Sequence, residues 1–318
     1  MKKIILLLTV IFTCSMSYAK IWRVNNNTGI TADFTTAQAA HDAAAAGDTI
    51  HLEPSITTYG GVTTTKKLVW LSIGDFLTPG LQYSSTPGKL DGLSVNIGSE
   101  NSVFSCRFTL SSCDASNVTY SRCYSENYII FTSTSSNSII INCYITSSIN
   151  INGTNTNIII SNNIVGDYIS VDQSSSAIIT NNVINARSGS QSNIFNSQIQ
   201  NNIFSQTSGT YTFTNSNINN NIANLPSFLP AGNGNINSVD MNSVFVNYQG
   251  LDDASFLLKA GSPAIGTGFG GGNMGAFAGS SPYVLALQPG IPAIYQINAP
   301  AAPSGTTMNV TFSTKSNN

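Results

Sequence analysis

Short apolar runs broken by a pair of asparagines recur along the middle of this chain at nearly constant spacing. The first members of successive pairs lie 19 or 20 residues apart, at Asn162, Asn181, Asn201 and Asn220, and Asn142, which Cys143 follows, fits the same frame one step earlier. A second short apolar segment lies between successive pairs, as at 149–151 and 168–171. Brief β-prone runs separated by Asn, Ser and Gly at this period predict a solenoid, in which each turn contacts only its neighbours.

The second member of each pair is expected to point into the core. Equivalent amides on adjacent turns bond one another in a ladder, and a buried amide is stable only when it is bonded in this way. Cysteines hold the same position in earlier turns, so the predicted stack comprises Cys123, Cys143, Asn163, Asn182, Asn202 and Asn221. The first asparagine suits the turn, because it tolerates a left-handed backbone. Replacing Asn182 by Leu should destabilise the fold by on the order of 1–3 kcal/mol.

Four cysteines follow position 19: Cys106, Cys113, Cys123 and Cys143. An exported protein permits disulfides, but stacked parallel side chains point the wrong way for an easy bridge. Free buried thiols are therefore expected, with Cys106 beginning the stack, and a disulfide is the alternative. The chain has no CxxC motif and no His near these cysteines, so no zinc or other metal is predicted.

The chain divides into four predicted segments: a signal peptide at 1–19, an N-terminal cap at 20–60, a parallel β-helix at 61–280 and a C-terminal β tail at 281–318. In the cap, strands at 21–24 and 49–52 flank an Ala-rich helix whose small apolar face is Ala37, Ala40 and Ala44. Loops are predicted around 78–80 and 86–88. The tail is rich in Pro and predicts two strands, at 295–298 and 308–312. A linker without structure is the alternative for the tail.

The first residues predict export. Lys2 and Lys3 precede a short apolar run and small residues, with cleavage expected after Ala19. Lipid attachment at Cys14 is the alternative. No later stretch is apolar enough for a membrane helix, so the protein is expected to be secreted or at the cell surface.

Charge is scarce, since only 8% of the residues are charged and the net charge is -2. Loss of Lys2 and Lys3 with the signal peptide would bring the net charge to about -4. The mature chain therefore has no basic surface for a phosphate backbone, and nucleic-acid binding is excluded as a function class.

Three motifs resemble the right-handed parallel β-helix proteins of the pectate-lyase-like superfamily, of the exported bacterial type. They are the Ala-rich segment 34–52, the Asn-Asn-Ile/Val units, and the sequence LKAGSPAIG at 258–266. The last motif continues to Asn273-Met274-Gly275-Ala276 and lacks the acidic residue common in that family. The resemblance covers about 20–280 and implies an all-β, right-handed parallel β-helix with a short N-terminal capping helix. It also implies polysaccharide lyase or glycoside hydrolase activity.

The residues needed for such chemistry are sparse. Acids in the regular region lie at Asp114, Glu126, Asp167 and Asp172 and do not repeat in register, which disfavours paired catalytic carboxylates. The remaining catalytic candidates are Arg122, Glu126 and Asp114. Asp167 and Arg187 are interpreted as a surface ion pair, and Asp252-Asp253 as a solvated turn.

A non-catalytic function requires fewer special residues. Tyr124, Tyr128, Tyr144 and Tyr168 are candidates for stacking on sugars, with packing against the core as the alternative. The sequence therefore predicts an exported, non-catalytic β-helix protein, structural or weakly glycan-contacting at the cell surface. Its predicted partner is a polysaccharide or a cell-surface component, and no cofactor is predicted. A polysaccharide lyase or glycoside hydrolase acting on an acidic polysaccharide remains the alternative.

Overall fold

Each repeat folds into one turn of a parallel β-solenoid of about eight turns. The structure is a computed structural model that describes residues 19–76, 86–132, 135–185, 191–288, 292–300 and 306–315. In each regular turn the chain passes through three short strands, which align with their equivalents to form sheets A, B and C. The all-β, parallel β-helix prediction is therefore confirmed.

The three sheets contain almost all of the described strands. Sheet A comprises β1 (Ile21–Val24), β2 (Thr49–Leu52), β4 (Val69–Leu71), β7 (Val103–Ser105), β10 (Thr119–Ser121), β13 (Ile139–Ile141), β16 (Ile158–Ser161), β19 (Ala177–Thr180), β22 (Gln198–Gln200) and β25 (Asn217–Asn219). Sheet B comprises β3 (Val62–Thr64), β6 (Leu93–Val95), β9 (Ser111–Cys113), β12 (Ile129–Phe131), β15 (Ile149–Ile151), β18 (Ile169–Val171), β21 (Gln191–Phe195) and β24 (Thr210–Thr214). Sheet C comprises β5 (Lys89–Leu90), β8 (Arg107–Phe108), β11 (Tyr124–Ser125), β14 (Tyr144–Ile145), β17 (Ile164–Val165), β20 (Val183–Ile184), β23 (Ile203–Phe204) and β26 (Ile222–Ala223).

Isoleucine fills the interior beneath sheet A. Strand pairing places five equivalent residues over one another on adjacent turns, and each is at least nine-tenths buried: Ile140, Ile160, Ile179, Ile199 and Ile218. Successive residues of a strand face opposite sides of the sheet, so a slip of one residue would expose this whole stack. The 19- or 20-residue period is thus the spacing that keeps the apolar side chains inside.

A short helix covers the open first turn. Helix α1 (Ala37–Ala43) begins after Thr36, whose hydroxyl accepts from the backbone N–H of Ala39 at 3.4 Å. Ala37 and Ala40 are completely buried against the core. The first turn of a solenoid would otherwise leave an apolar end and an unpaired strand edge in water. The predicted capping helix is therefore present, shorter than the Ala-rich segment.

After Ala223 the chain leaves the regular turns and folds back over the outside of sheet C. We call residues 236–288 the strap; it contains helix α2 (Met241–Val244) and three short 3-10 segments at Asp253–Phe256, Phe269–Gly271 and Leu285–Leu287. The outward side chains of sheet C are apolar here, and they form a second core with the strap: Ile164, Val183, Ile203 and Ile222. The predicted β-helix segment ending at 280 therefore includes both regular turns and this covering segment.

The tail forms a two-stranded antiparallel sheet of β27 (Ala293–Asn298) and β28 (Thr311–Lys315). The second strand begins three residues later than predicted. All but the last residue of the predicted signal peptide at 1–19, the loop at 78–80 and Arg187 lie outside the described residues. Within the ranges that are described, no helix has both the length and the apolar character needed to cross a bilayer.

Candidate functional site

The turn between sheets A and C places the two asparagines of each repeat on opposite sides of the backbone. The first member has a left-handed backbone, with φ between 51° and 57° from Arg122 through Asn220. At Asn162, Asn201 and Asn220 its side chain points outward and is hydrogen-bonded to the strap. The Nδ2 of Asn162 donates to the carbonyl oxygen of Ala276 at 2.9 Å, and the Oδ1 of Asn201 accepts from the N–H of Phe269 at 2.8 Å. Sequence reasoning explained these residues by the turn alone and missed their contacts with the strap.

The second asparagine is buried and forms a continuous ladder. The backbone N–H and the Nδ2 of Asn163 both donate to the Oδ1 of Asn182, each at 3.0 Å. Asn182 donates in the same way to Asn202, and Asn202 to Asn221, at 2.9–3.0 Å. The ladder ends on the Oδ1 of Asn235, which accepts from the backbone N–H of Asn221 at 3.1 Å. Asn235 follows Asn221 by only 14 residues, so the 19- or 20-residue period of the repeats did not predict its place in the ladder.

Cysteines continue this stack toward the N-terminus. The backbone N–H of Cys143 donates to the Oδ1 of Asn163 at 2.8 Å, and that of Cys123 to the Sγ of Cys143 at 3.4 Å. Cys106 occupies the equivalent position in the turn before, whereas Cys113 lies in sheet B. All four thiols are buried and unbridged. Burial raises the pKa of the Cys106 and Cys143 thiols well above their usual range, which makes them poor nucleophiles.

Charged side chains gather on the outer face of sheet C around Arg107. Its Nη1 donates to the Oδ1 of Asp75 at 2.6 Å, and its Nη2 to the Oε1 of Glu126 at 2.7 Å. Lys89 donates to the other oxygen of Glu126 at 2.5 Å. Lys89 and Arg107 are neighbours because β5 and β8 pair in register. We call these four residues the Arg107 cluster; it holds two carboxylates and two cations in alternation.

Aromatic rings pack beside the Arg107 cluster. The rings of Tyr124 and Tyr144 stack nearly parallel with centroids 5.5 Å apart, and the Arg107 guanidinium lies 4.6 Å from the centroid of Tyr124. Phe76 contacts both tyrosines from the side, with ring centroids 5.4 and 4.8 Å away. These two candidate sugar-stacking residues therefore already have protein on part of their surface. Rings used this way chiefly hold the loop at Phe76 against sheet C.

Burial and charge shift the pKa values of the two carboxylates of the Arg107 cluster in opposite directions. Burial raises the pKa of Asp75 to about 6, although the charge of Arg107 opposes the rise. Burial also acts to raise the pKa of Glu126, but hydrogen bonds and charges from Lys89 and Arg107 outweigh it and lower that pKa. An acid that is protonated below about pH 6 and a carboxylate whose pKa is lowered thus flank one guanidinium.

A second buried acid lies nearby in the strap. Asp253 is only 3% exposed, and its Oδ2 accepts from the backbone N–H of Ala286 at 2.6 Å. Burial raises its pKa to about 6. The prediction of a solvated turn at Asp252-Asp253 is therefore wrong for Asp253, because the strap folds over it.

The raised pKa of Asp75 predicts a pH dependence of stability. Between about pH 4 and pH 6 the folded protein binds a proton at Asp75 that the unfolded chain does not, so this contribution is lost as pH rises through 6. Burial lowers the pKa of His51, which makes stability rise with pH in the range below the ordinary pKa of histidine and so opposes the effect of Asp75. The effect of Asp75 is therefore isolated by comparing wild type with a variant at that position. The free energy of unfolding of Asp75→Asn should rise relative to that of wild type by on the order of 1 kcal/mol as the pH increases from 5 to 7.5. Chemical denaturation at both pH values measures this; parallel pH profiles would contradict it.

The three predicted catalytic residues have different partners. Glu126 belongs to the Arg107 cluster, Asp114 accepts from the hydroxyl of Thr132 at the end of β9, and Arg122 donates to the carbonyl oxygen of Gln288 at 2.8 Å. Among the described residues, these hydrogen bonds do not join the three side chains to one another. Of the other sugar-stacking candidates, Tyr128 is half-buried and Tyr168 packs against the main core.

Sequence reasoning missed Asp75 and Lys89, because both precede the regular repeats. A weak signal existed for Lys89, since a basic residue precedes a large apolar one both at Lys89-Leu90 and at Arg107-Phe108. The next equivalent pair, Tyr124-Ser125, does not continue this pattern. Asp75 lies in an irregular loop and had no such signal. In the part of the chain that the structure describes, no group of three or more His, Cys, Asp or Glu side chains has the arrangement of a metal site.

Comparisons with protein-family models, with curated proteins and with solved structures give no match. The resemblance to the pectate-lyase-like proteins therefore depends on the quoted motifs and on the parallel β-solenoid alone. A fold of this kind serves many activities, so function must be argued from the surfaces of this chain.

Proposed function

We propose that this protein is an exported, non-catalytic β-solenoid of the pectate-lyase-like type that acts as a rigid element at the cell surface and contacts glycans weakly. The observation that carries the proposal is an uncharged, mostly polar row along the outer face of sheet B. One outward side chain from each strand contributes to the row: Thr63, Ser94, Ser112, Ile130, Asn150, Ser170, Asn193 and Thr212.

The row has the chemistry of a neutral glycan surface. Its members follow one another at the strand spacing of about 4.8 Å and offer hydroxyl and amide groups that both donate and accept hydrogen bonds. Ser170 and Asn150 already orient each other, with 2.9 Å between Oγ and Oδ1. The absence of charge on the row favours a neutral partner over an ionic one. Without a flat aromatic platform on the row, the affinity is expected to be low.

The Arg107 cluster supports a structural interpretation of the charged residues. Each of its carboxylates is bound by at least one cation. The cluster lies on sheet C beside the loop at Gly74, which the strap approaches closely at Ala286. Such bridging holds covering segments in place. Because both carboxylates are already paired with cations, neither is well placed to act as a general base that accepts a proton from a substrate.

Retention on polysaccharides tests the proposal. Purified mature protein is passed over insoluble neutral polysaccharides and over an acidic one, and we expect slower elution on a neutral matrix. The double variant Ser112→Glu/Ser170→Glu should lose this retention, while Thr180→Glu on sheet A, the matched control, should keep it. No retention on any matrix, or equal retention of the row variant, would contradict glycan contact through sheet B. Mass spectrometry of the exported protein should give Lys20 as the first residue.

A second candidate is a carbohydrate-active enzyme at the Arg107 cluster. It is favoured by one observation, the opposite pKa shifts of Asp75 and Glu126, since such pairs supply an acid and a base at one pH. Incubation with acidic polysaccharides, with and without calcium, tests it. New reducing ends or unsaturated products that disappear in Glu126→Gln would replace the non-catalytic proposal.

A further inference from the structure

An apolar stripe runs along the outer face of sheet A. Strand pairing aligns one outward side chain from each of six successive strands, and all but one of these side chains are aliphatic: Val69, Val103, Thr119, Ile139, Ile159 and Ile178. Ile178 is 40% exposed, and the other five are half-buried. The equivalent row on sheet B is mostly polar, so the repeat itself does not require this stripe. A contiguous apolar surface with polar surroundings commonly marks a contact surface.

An open groove of about 580 Å³ lies beside the stripe. The strap at Ser280–Pro282 forms one wall, and the other wall includes Val103 of the stripe with its apolar neighbours Leu71 and Ile141. None of the described residues that line the groove is acidic. The stripe therefore borders a recess that can accept an apolar side chain.

The tail hairpin of β27 and β28 carries apolar side chains on its surface. Ile294, Ile297 and Phe312 are all exposed, and Phe312 is the most exposed of them at 62%. Ile297 and Phe312 are partners across the two strands, so their side chains lie on one face of the hairpin. A two-stranded hairpin without further packing is marginally stable at best in water. An apolar surface to rest on would therefore stabilise this hairpin.

The chain tethers the hairpin close to the stripe. The carbonyl oxygen of Gln288 accepts from Arg122, which directly follows β10, the strand that contributes Thr119. Four residues separate Gln288 from Ala293, so the hairpin begins within a reach of about 18 Å from that anchor. A short tether gives an effective concentration in the millimolar range, so even a weak apolar contact is sufficient for docking.

Size and charge favour the hairpin as the occupant of the stripe. Six strands of about three residues give an area of about 24 by 10 Å, far below the roughly 800 Å² per partner of a stable dimer. The hairpin is about 17 Å long and about 10 Å wide, and it matches the stripe when the strands of the two sheets cross near right angles. The stripe has no charged residue, and the sequence from 289 to 318 has only Lys315, so apolar contact can drive the docking.

We propose that the tail hairpin docks across the outer face of sheet A, with Ile297 and Phe312 packed against the apolar stripe. The structure has these side chains exposed, so the docked form is a second arrangement of the tail. In that form the hairpin covers the stripe and the groove beside it, while the row on sheet B stays open to solvent. The inference goes beyond the proposed glycan contact and does not rest on it, because it concerns a different face.

Cross-linking of introduced cysteines in the full mature chain tests the docking. Thr119→Cys lies within the stripe, and Thr314→Cys lies two residues after Phe312 on the same face of β28. The native thiols are buried, so a short bismaleimide reacts selectively with the introduced pair. We expect a link within one chain, identified by mass spectrometry of the peptides. Ser112→Cys/Thr314→Cys is the matched control on sheet B and should stay unlinked.

Charged replacements test which side chains make the contact. Phe312→Glu, added to the Thr119→Cys/Thr314→Cys pair, should slow cross-linking about fivefold or more, because a carboxylate is costly to bury on the stripe. Thr311→Glu is the matched control on the opposite face of β28 and should leave the rate unchanged. Ile139→Glu changes the stripe instead of the hairpin and should slow cross-linking to a similar extent.

Four outcomes would overturn the inference. They are no cross-link at all, equal yields from the sheet A and sheet B pairs, a rate that neither Phe312→Glu nor Ile139→Glu changes, and links that join two chains. The last outcome would assign the stripe to the tail of a second copy. Retention on polysaccharide is measured separately, so failure of the docking leaves the proposed function standing.

Discussion

Asn182→Leu is expected to lower the free energy of unfolding by about 3 kcal/mol, the upper end of the estimate made from sequence. The side chain is completely buried, and its Oδ1 accepts both the backbone N–H and the Nδ2 of Asn163. Its own Nδ2 donates to the Oδ1 of Asn202 and to the carbonyl oxygen of Ile160. Leucine supplies none of these bonds, so several buried polar groups lose their partners at once.

Urea denaturation of wild type and variant measures the effect. Asn193→Leu is the matched control, because it makes the same replacement at an exposed position of strand β21. The control should change the free energy of unfolding by less than about 0.5 kcal/mol. A loss of stability in Asn182→Leu no larger than in the control would mean that the amide ladder contributes little to the fold.

Arg107→Met is expected to destabilise the protein by about 3 kcal/mol at pH 7, the low end for breaking a buried ion pair, because Arg107 keeps about a quarter of its side-chain surface exposed. Without the guanidinium, Asp75 is left buried at 4% side-chain exposure without its cation. At pH 5 the loss should be smaller, since Asp75 is then largely protonated in the folded state.

Lys89→Met is the control for Arg107→Met, since it removes the other cation from the same row of sheet C. Glu126 keeps its bonds to Arg107 in that variant, so we expect a cost of about 1 kcal/mol or less. Equal losses in the two variants, or a loss in Arg107→Met that does not shrink at pH 5, would reject Arg107 as the residue that compensates the buried acid.

Local repetition explains what could be predicted from the sequence. The asparagine period places identical residues on identical turn positions, so strand pairing, the buried stack and the inward isoleucines follow from one spacing. The capping helix followed from Ala37, Ala40 and Ala44, whose spacing makes a single small apolar face. In each case the residues that pack together are equivalent members of a repeat or near neighbours in the chain.

Contacts between distant, non-equivalent residues could not be predicted in this way. The strap binds Asn162 through residues more than 110 positions later, and Arg107 joins Asp75 from an irregular loop to Glu126. The burial of Asp253 follows from the path of the strap and not from its own neighbours. The groove beside the apolar stripe also depends on where the strap stands away from sheet A. These features arise from the covering segment, which has no period.

The central claim is that successive repeats stack as parallel, in-register turns along one axis. Double electron-electron resonance, which measures distances between spin labels, tests it most directly with labels on outward positions of sheet B. Cysteines introduced there can be labelled selectively because the native thiols are buried. Ser94 and Ser170 lie four strands apart, and Ser94 and Thr212 six. At about 4.8 Å per strand we expect distances of about 19 Å and about 29 Å, growing linearly with strand number. Distances that do not increase in this proportion would contradict the solenoid.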